Sequence, residues 1–228
     1  MIRAFATSSR RALPRVPRRL PAPIRPQAVR ARRPWRSAVA ALFLLATPGL
    51  VLAQPARFDI DPEHFSIGFL VSHIGYADVL GMFRSATGSY QYDEKTGQLS
   101  DVRIEVDTAS VFTNHRKRDD HLKGPDFLNS KEFPRMVFTA ASTARGSDNA
   151  FEIKGELELL GRRQPLTLQA RMNKLARYEL GTFSKPYVMG VSARGSFRRS
   201  PYGITYGVEN GWVGDEVKLI VEFEARRQ

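Results

Sequence analysis

The stretch Leu99–Asp107 reads Leu-Ser-Asp-Val-Arg-Ile-Glu-Val-Asp. Val102, Ile104 and Val106 take every second place, and Asp101, Arg103, Glu105 and Asp107 take the others. A period of two puts one set on each face of an extended chain, so this is a strand with one face in a core and one in water. The period recurs on both sides. In Ser66–His73, Ile67, Phe69 and Val71 share one face and Ser66, Gly68, Leu70 and Ser72 the other. Phe151–Leu159 alternates Phe151, Ile153, Gly155, Leu157 and Leu159 with Glu152, Lys154, Glu156 and Glu158. Met189, Val191, Ala193, Gly195 and Phe197 share a face, as do Val217, Leu219, Val221 and Phe223.

Turn residues part these runs: Asp93-Glu94-Lys95-Thr96-Gly97, Gly146-Ser147-Asp148-Asn149, and Leu160-Gly161 before Arg162–Pro165. Short, evenly spaced strands of this kind predict an antiparallel all-β barrel or sandwich. Gly68, Gly81, Gly88, Gly155, Gly190 and Gly195 fall inside strands and mark bends, bulges or close approaches, which favours a barrel. Between Thr113 and Pro134 the rhythm stops. This polar connection predicts short helical turns at Asp119–Leu122 and Asp126–Lys131, and it is the candidate lid for one end.

The chain of 228 residues has 35 basic and 23 acidic side chains, a formal charge of +12. Residues 1–53 hold eleven of the arginines, no lysine and no acid, which leaves 24 basic against 23 acidic from Gln54 onward. The remainder therefore carries no nucleic-acid footprint. The leader has a basic stretch ending at Arg36, an apolar run Ala38–Ala46, and Val51-Leu52-Ala53 before a cut after Ala53. These are the parts of a signal peptide. The apolar run falls short of the about 20 residues that span a bilayer, and no cysteine is present to carry a lipid, so the expectation is an exported, unanchored protein. Residues 1–28 are Arg/Pro-rich beyond what a signal needs, and are read as lying upstream of a start near Val29. Residues 54–228 form the single domain, large enough to bury a core without disulfides. Lack of cysteine excludes thiol and Cys-zinc chemistry.

The inward apolar set by parity is Phe69, Val71, Phe83, Tyr90, Phe112, Met136, Phe138, Ile153, Leu157, Val191 and Phe197. Period alone leaves open whether these fill the barrel or line a hollow. His73 shares parity with Phe69 and Val71. It is either a buried histidine satisfied by a backbone carbonyl or a donor to a bound head group. Arg118, Asp119 and His121 place a carboxylate near an imidazole, as a general base requires, yet no nucleophile motif accompanies them. Their other use is to tie the lid to the rim by charge-assisted hydrogen bonds. His64, His73, His115 and His121 do not have metal-ligand spacing, and no metal or cofactor is expected.

Several stretches together resemble the YceI family of exported, lipocalin-like, polyisoprenoid-binding proteins. They are Asp61-Pro62-Glu63-His64-Phe65-Ser66-Ile67-Gly68-Phe69, Val71–Gly75, Gly81-Met82-Phe83, Gly88, Asp107–Val111, Thr113-Asn114, and Arg118–Leu122 with Asp126-Phe127-Leu128 and Phe133-Pro134. Gly155-Glu156-Leu157, Arg199–Gly203 and Val213–Val217 complete the series. Leu128 and Pro201 depart from it, standing where the family often has Phe and an acid. The resemblance implies an antiparallel barrel of about eight strands with a short helical lid, hollow, holding a ubiquinone-like or polyprenyl chain or another amphiphile. It implies a periplasmic carrier and not an enzyme, with homodimers among relatives and a cytochrome b-type membrane partner for some. His73, Asn114, Arg118, His121 and Arg199 are then the candidate polar residues at the mouth. The competing reading is an enzyme acting on a polyprenyl or fatty substrate through Arg118, Asp119 and His121.

Overall fold

The computed structural model describes residues 54–179 and 185–228. The leader and its cut after Ala53 lie outside the described residues. The elements run β1 (Ala56–His73), β2 (Ala77–Phe83), β3 (Ala86–Asp93), β4 (Gln98–Asp107), β5 (Val111–Phe112), α1 (Arg116–Leu122), β6 (Arg135–Ala144), β7 (Ala150–Leu159), β8 (Arg162–Arg177), β9 (Tyr187–Arg198) and β10 (Val213–Arg227). Every pairing is antiparallel. The order β1-β3-β4-β6-β7-β8-β9-β10 closes because β10 also pairs with β1. The result is an eight-stranded barrel with two extra strands, β2 and β5. Closure gives each of these eight strands a partner on both sides, though β6 and β7 meet through only three residue pairs.

β1 makes the extra pair of strands necessary. Between the Ile60–Ala225 and Phe65–Phe223 pairs it carries Asp61-Pro62-Glu63-His64 against a single residue of β10. Pro62 cannot donate to a ladder, so it sits where the ladder is interrupted. Before this bulge β1 pairs with β3; after it, from Ile67 on, it pairs with β2. β2 in turn meets β5 through Met82–Phe112 and Phe83–Val111.

The inward rows follow the alternation. Ile67 faces Val221 across β1–β10, Val221 faces Ala193 across β10–β9, Ala193 faces Ala170, and Ala170 faces Phe151. Two neighbouring strands thus present alanine at the same level. A wall of short side chains retreats where leucine would fill the space.

Glycines act here mainly through close approach. A Cβ on Gly81 would lie 2.2 Å from Cζ of Phe69, its cross-strand partner, so the phenyl ring lies across the glycine. At Gly155 a Cβ would meet the Thr139 carbonyl oxygen at 2.3 Å and the Phe138 ring at 2.6 Å. The β6–β7 ladder beside it has only three pairs.

The polar connection carries the helix. His115 Nδ1 accepts from the Arg118 amide at 3.3 Å and caps α1, which starts earlier than Asp119 for that reason. Asp126–Lys131 makes hydrogen-bonded turns instead of a helix, with Asn129 at φ 39 and the Ser130 amide donating to Lys123 O at 3.0 Å.

Candidate functional site: an apolar cavity with a polar mouth

The barrel encloses a cavity of about 440 Å³, within the size range of small-molecule sites. Its wall is almost wholly apolar. Of the inward set read from parity, Phe69, Val71, Phe83, Tyr90, Met136, Phe138, Ile153, Leu157, Val191 and Phe197 all line it. Ile67, Phe151, Leu168, Met172, Leu219, Val221 and Phe223 line it too. They follow the same alternation and could have been taken from it. Away from the mouth the one polar side-chain group on the described wall is the Tyr90 hydroxyl. It donates to Sδ of Met189 at 3.2 Å, and burial raises its pKa.

Phe112 corrects the parity reading. Val111 is the residue of β5 that points inward, buried and on the cavity wall. The next side chain must then point outward. Phe112 is exposed, with the Arg84 guanidinium 5.4 Å above its ring. Asn114 is the second correction. It holds φ 59 in the turn between β5 and α1, exposed and off the cavity wall. Asparagine suits that left-handed position, which accounts for it without a ligand.

The connection after β5 does close over one end. Arg118, His121, Leu122, Phe127 and Leu128 line the cavity there. His121, Phe127 and Tyr206 pack as three rings with centroids 4.9, 5.0 and 5.3 Å apart. This cluster joins α1 and the turn after it to the segment before β10.

Arg118 and Asp119 serve the lid itself. The Thr113 amide and hydroxyl both donate to Asp119 Oδ1, at 2.8 and 2.5 Å. Arg118 donates from Nε to Thr113 Oγ1 at 2.8 Å and from Nη2 to Thr113 O at 2.7 Å. Asp119 is therefore spent on Thr113. The carboxylate that meets His121 is Asp126, with Oδ2 2.9 Å from Nε2 at an exposed position. The Asp119–His121 dyad that a general base would need is not formed.

His73 sits at the mouth, exposed and on the cavity rim, and its ring makes no hydrogen bond among the described residues. The buried-histidine alternative is thereby overturned, because the strand ends at this residue and the side chain is out in solvent.

Arg199 is the buried cation of the mouth, 3% exposed. It donates to four backbone carbonyls: Gly214 at 2.8 Å, Ile204 at 3.1 Å, Tyr206 at 2.8 Å and Val213 at 2.8 Å. It also lies 5.8 Å from the Phe127 ring centroid. Burial lowers its pKa, and the field of Asp215 opposes that. Four of the five guanidinium hydrogens are used, so it clasps the rim segment and keeps one to give.

Away from the cavity, the β1 bulge holds a buried carboxylate, Asp61. His64 Nδ1 lies 2.8 Å from Asp61 Oδ2, Arg226 Nη2 donates to the same oxygen at 2.6 Å, and the Glu63 amide donates to Oδ1 at 3.1 Å. Burial alone would raise the Asp61 pKa; the hydrogen bonds from His64, Glu63 and Arg226 outweigh it and lower it. His64 is raised, chiefly by its bond to Asp61. Glu224 lies near enough to complete a three-ligand group, with donor atoms within 4.8 Å of one another, but Arg226 already occupies the carboxylate a cation would need. The raised His64 stabilises the fold below its unfolded pKa of about 6.5, and that contribution is lost as pH rises through the folded value. The lowered Asp61 stabilises it above about 3.9, and that contribution is lost as pH falls through the folded value. Asp61→Asn is expected to flatten the decline in urea stability on the alkaline side of pH 6.5 and to cost about 1–2 kcal/mol at pH 5. An unchanged pH profile would show that the bulge cluster contributes nothing.

A sequence model of the YceI-like domain matches residues 58–225. The chain belongs to the YceI family. The match runs from within β1 to within β10, and so covers the whole barrel. A UPF0312 protein of Pectobacterium atrosepticum is 32% identical over 191 residues, 82% of this chain and 94% of that one. Among solved structures, the YceI protein of Campylobacter jejuni superposes with a TM-score of 0.61 at 23% identity, covering 69% of this chain and 90% of that chain. A polyisoprenoid-binding domain from Saccharophagus degradans superposes at 0.55 with 13% identity, over 76% and 99% of the two chains. The two superpositions speak for the shared YceI fold.

Proposed function

We propose that this protein is an exported carrier that holds the chain of a ubiquinone-like, polyprenyl or other amphiphilic lipid inside its barrel. The observation that carries this reading is the distribution of polarity. The wall is apolar over the length of the cavity, and His73, Arg118, His121, Arg199 and Tyr206 gather at one end of it. An amphiphile has the same division. Each methylene that leaves water for such a wall contributes about 0.8 kcal/mol, so a long tail binds tightly with few polar contacts. The Saccharophagus relative's description as polyisoprenoid-binding supports the choice of ligand class. No helix among the described residues is long and apolar enough to cross a membrane. The signal-peptide pattern of residues 1–53 supports release into the periplasm, with processing after Ala53. A homodimer and hand-over to a cytochrome b-type membrane protein belong to the same proposal.

Uptake tests it. Protein stripped of lipid in mild detergent and offered ubiquinone should retain close to one molecule per barrel after gel filtration. It should retain none of a short, water-soluble quinone. Failure to take up any of a series of ubiquinone, polyprenol and fatty amide would contradict the proposal.

A further inference from the structure

The barrel shows large apolar side chains to water beside its mouth. Tyr76 is 90% exposed, Trp212 53% and Ile74 50%. The three come from two neighbouring tips, joined where the Ile74 amide donates to Trp212 O at 3.0 Å. None lines the cavity, but the residues next to them in sequence, His73 and Val213, do. The placement is also strained. Ile74 and Gly75 hold φ 53 and 73, the pair of left-handed positions that Asn-Gly fills best, and a β-branched residue is disfavoured there. The fold holds an isoleucine in water where asparagine would sit without strain, and such violations gather at working surfaces.

Basic charge accompanies the patch. α1 caps the same end, and Arg116–Lys123 has four basic residues against two acids. One acid, Asp119, and one base, Arg118, are both engaged by Thr113, which leaves Arg116, Lys117 and Lys123 against Asp120. Arg116 is 95% exposed, with its Nε 4.0 Å from Asp120 Oδ2.

We propose that this rim docks reversibly onto the surface of an anionic lipid bilayer, with Ile74, Tyr76 and Trp212 entering the headgroup layer and α1 facing the phosphates. Tryptophan and tyrosine favour that layer, and weak anchoring by a few apolar side chains is strengthened by adjacent basic ones. The geometry would set the cavity mouth against the membrane. Only this orientation has a meaning that rests on the carrier reading; the docking does not.

The test uses the protein as recovered from the producing cell; Trp35 belongs to the leader proposed to be cut after Ala53, and Trp35→Phe keeps Trp212 the one indole of any uncut chain as well. Vesicles of phosphatidylglycerol and phosphatidylethanolamine should co-sediment with it and shift Trp212 emission to shorter wavelength. Phosphatidylcholine vesicles should bind more weakly, and added salt should weaken the anionic binding. On the same background, Ile74→Ser with Tyr76→Ser should lower partitioning at least about tenfold. Equal partitioning of the two proteins, or no shift of Trp212, would overturn the proposal. So would light scattering that shows a dimer dissociated by the two serines, since a second copy would then be the occupant. Lipid content measured on the same samples separates the two proposals. An empty barrel that docks sinks the carrier alone, and a loaded barrel that does not dock sinks the docking alone.

Discussion

Replacing Arg199 with alanine is expected to remove about 3–5 kcal/mol of folding stability, the scale for deleting one partner of a buried charged network. The side chain is almost fully buried and gathers the carbonyls of Ile204, Tyr206, Val213 and Gly214. Without it those acceptors must either find water or stay unsatisfied. Lysine should recover only part of the loss, because one ammonium cannot match a planar fork aimed at four oxygens. The reading is a lower urea midpoint at an unchanged m value. Amide exchange should rise first in the segment between Arg199 and Val213, and the His121–Phe127–Tyr206 ring cluster should loosen with it. A shift below about 0.5 kcal/mol, the range of an ordinary surface change, would contradict the clasp role.

The second large effect separates a hollow barrel from a packed one. Val191 points into the cavity from β9, opposite Phe223 on β10 and Met172 on β8. In a filled core, valine to tryptophan would overpack the site and cost about 1–3 kcal/mol or more. In this barrel the indole has space to enter, so Val191→Trp should fold with a stability close to the parent. It should also occupy the volume a lipid tail needs, and lipid content should fall at least about tenfold if the tail buries several methylenes there. A variant that unfolds would show the wall to be packed. One that folds and stays fully loaded would show that the lipid lies elsewhere.

The sequence was informative where a single physical rule dominates. Alternation located the strands and assigned Phe69, Phe138, Ile153 and Val191 to the inner face, because a half-buried strand permits no other pattern. Loss of alternation after Thr113 located the lid. The failures have local causes. Phe112 was misassigned because a two-residue strand has no period to read, and Val111 beside it took the inward place. Asn114 looked like a head-group donor but is there for its backbone angle. Of the two readings of His73 only the buried one fails, because β1 ends at that residue and the side chain emerges at the rim. Arg118 and Asp119 were legible as lid ties, though their anchor, Thr113, lies within the same connection. The clasp formed by Arg199 depends on four carbonyls, and no side-chain pattern announces those. The cavity itself was open from period alone. The facing alanines Ala170 and Ala193 are its trace in the sequence, but their meaning depends on a register that only the folded barrel supplies.

The central claim is that the barrel holds a lipid, and the most direct measurement is made on protein taken from its producing cell without detergent. Native mass spectrometry, followed by organic extraction and identification of the released compound, should show one long-chain amphiphile per barrel, lost on denaturation. A barrel that is empty as isolated, and whose extract contains no hydrophobic compound in stoichiometric amount, would contradict the account.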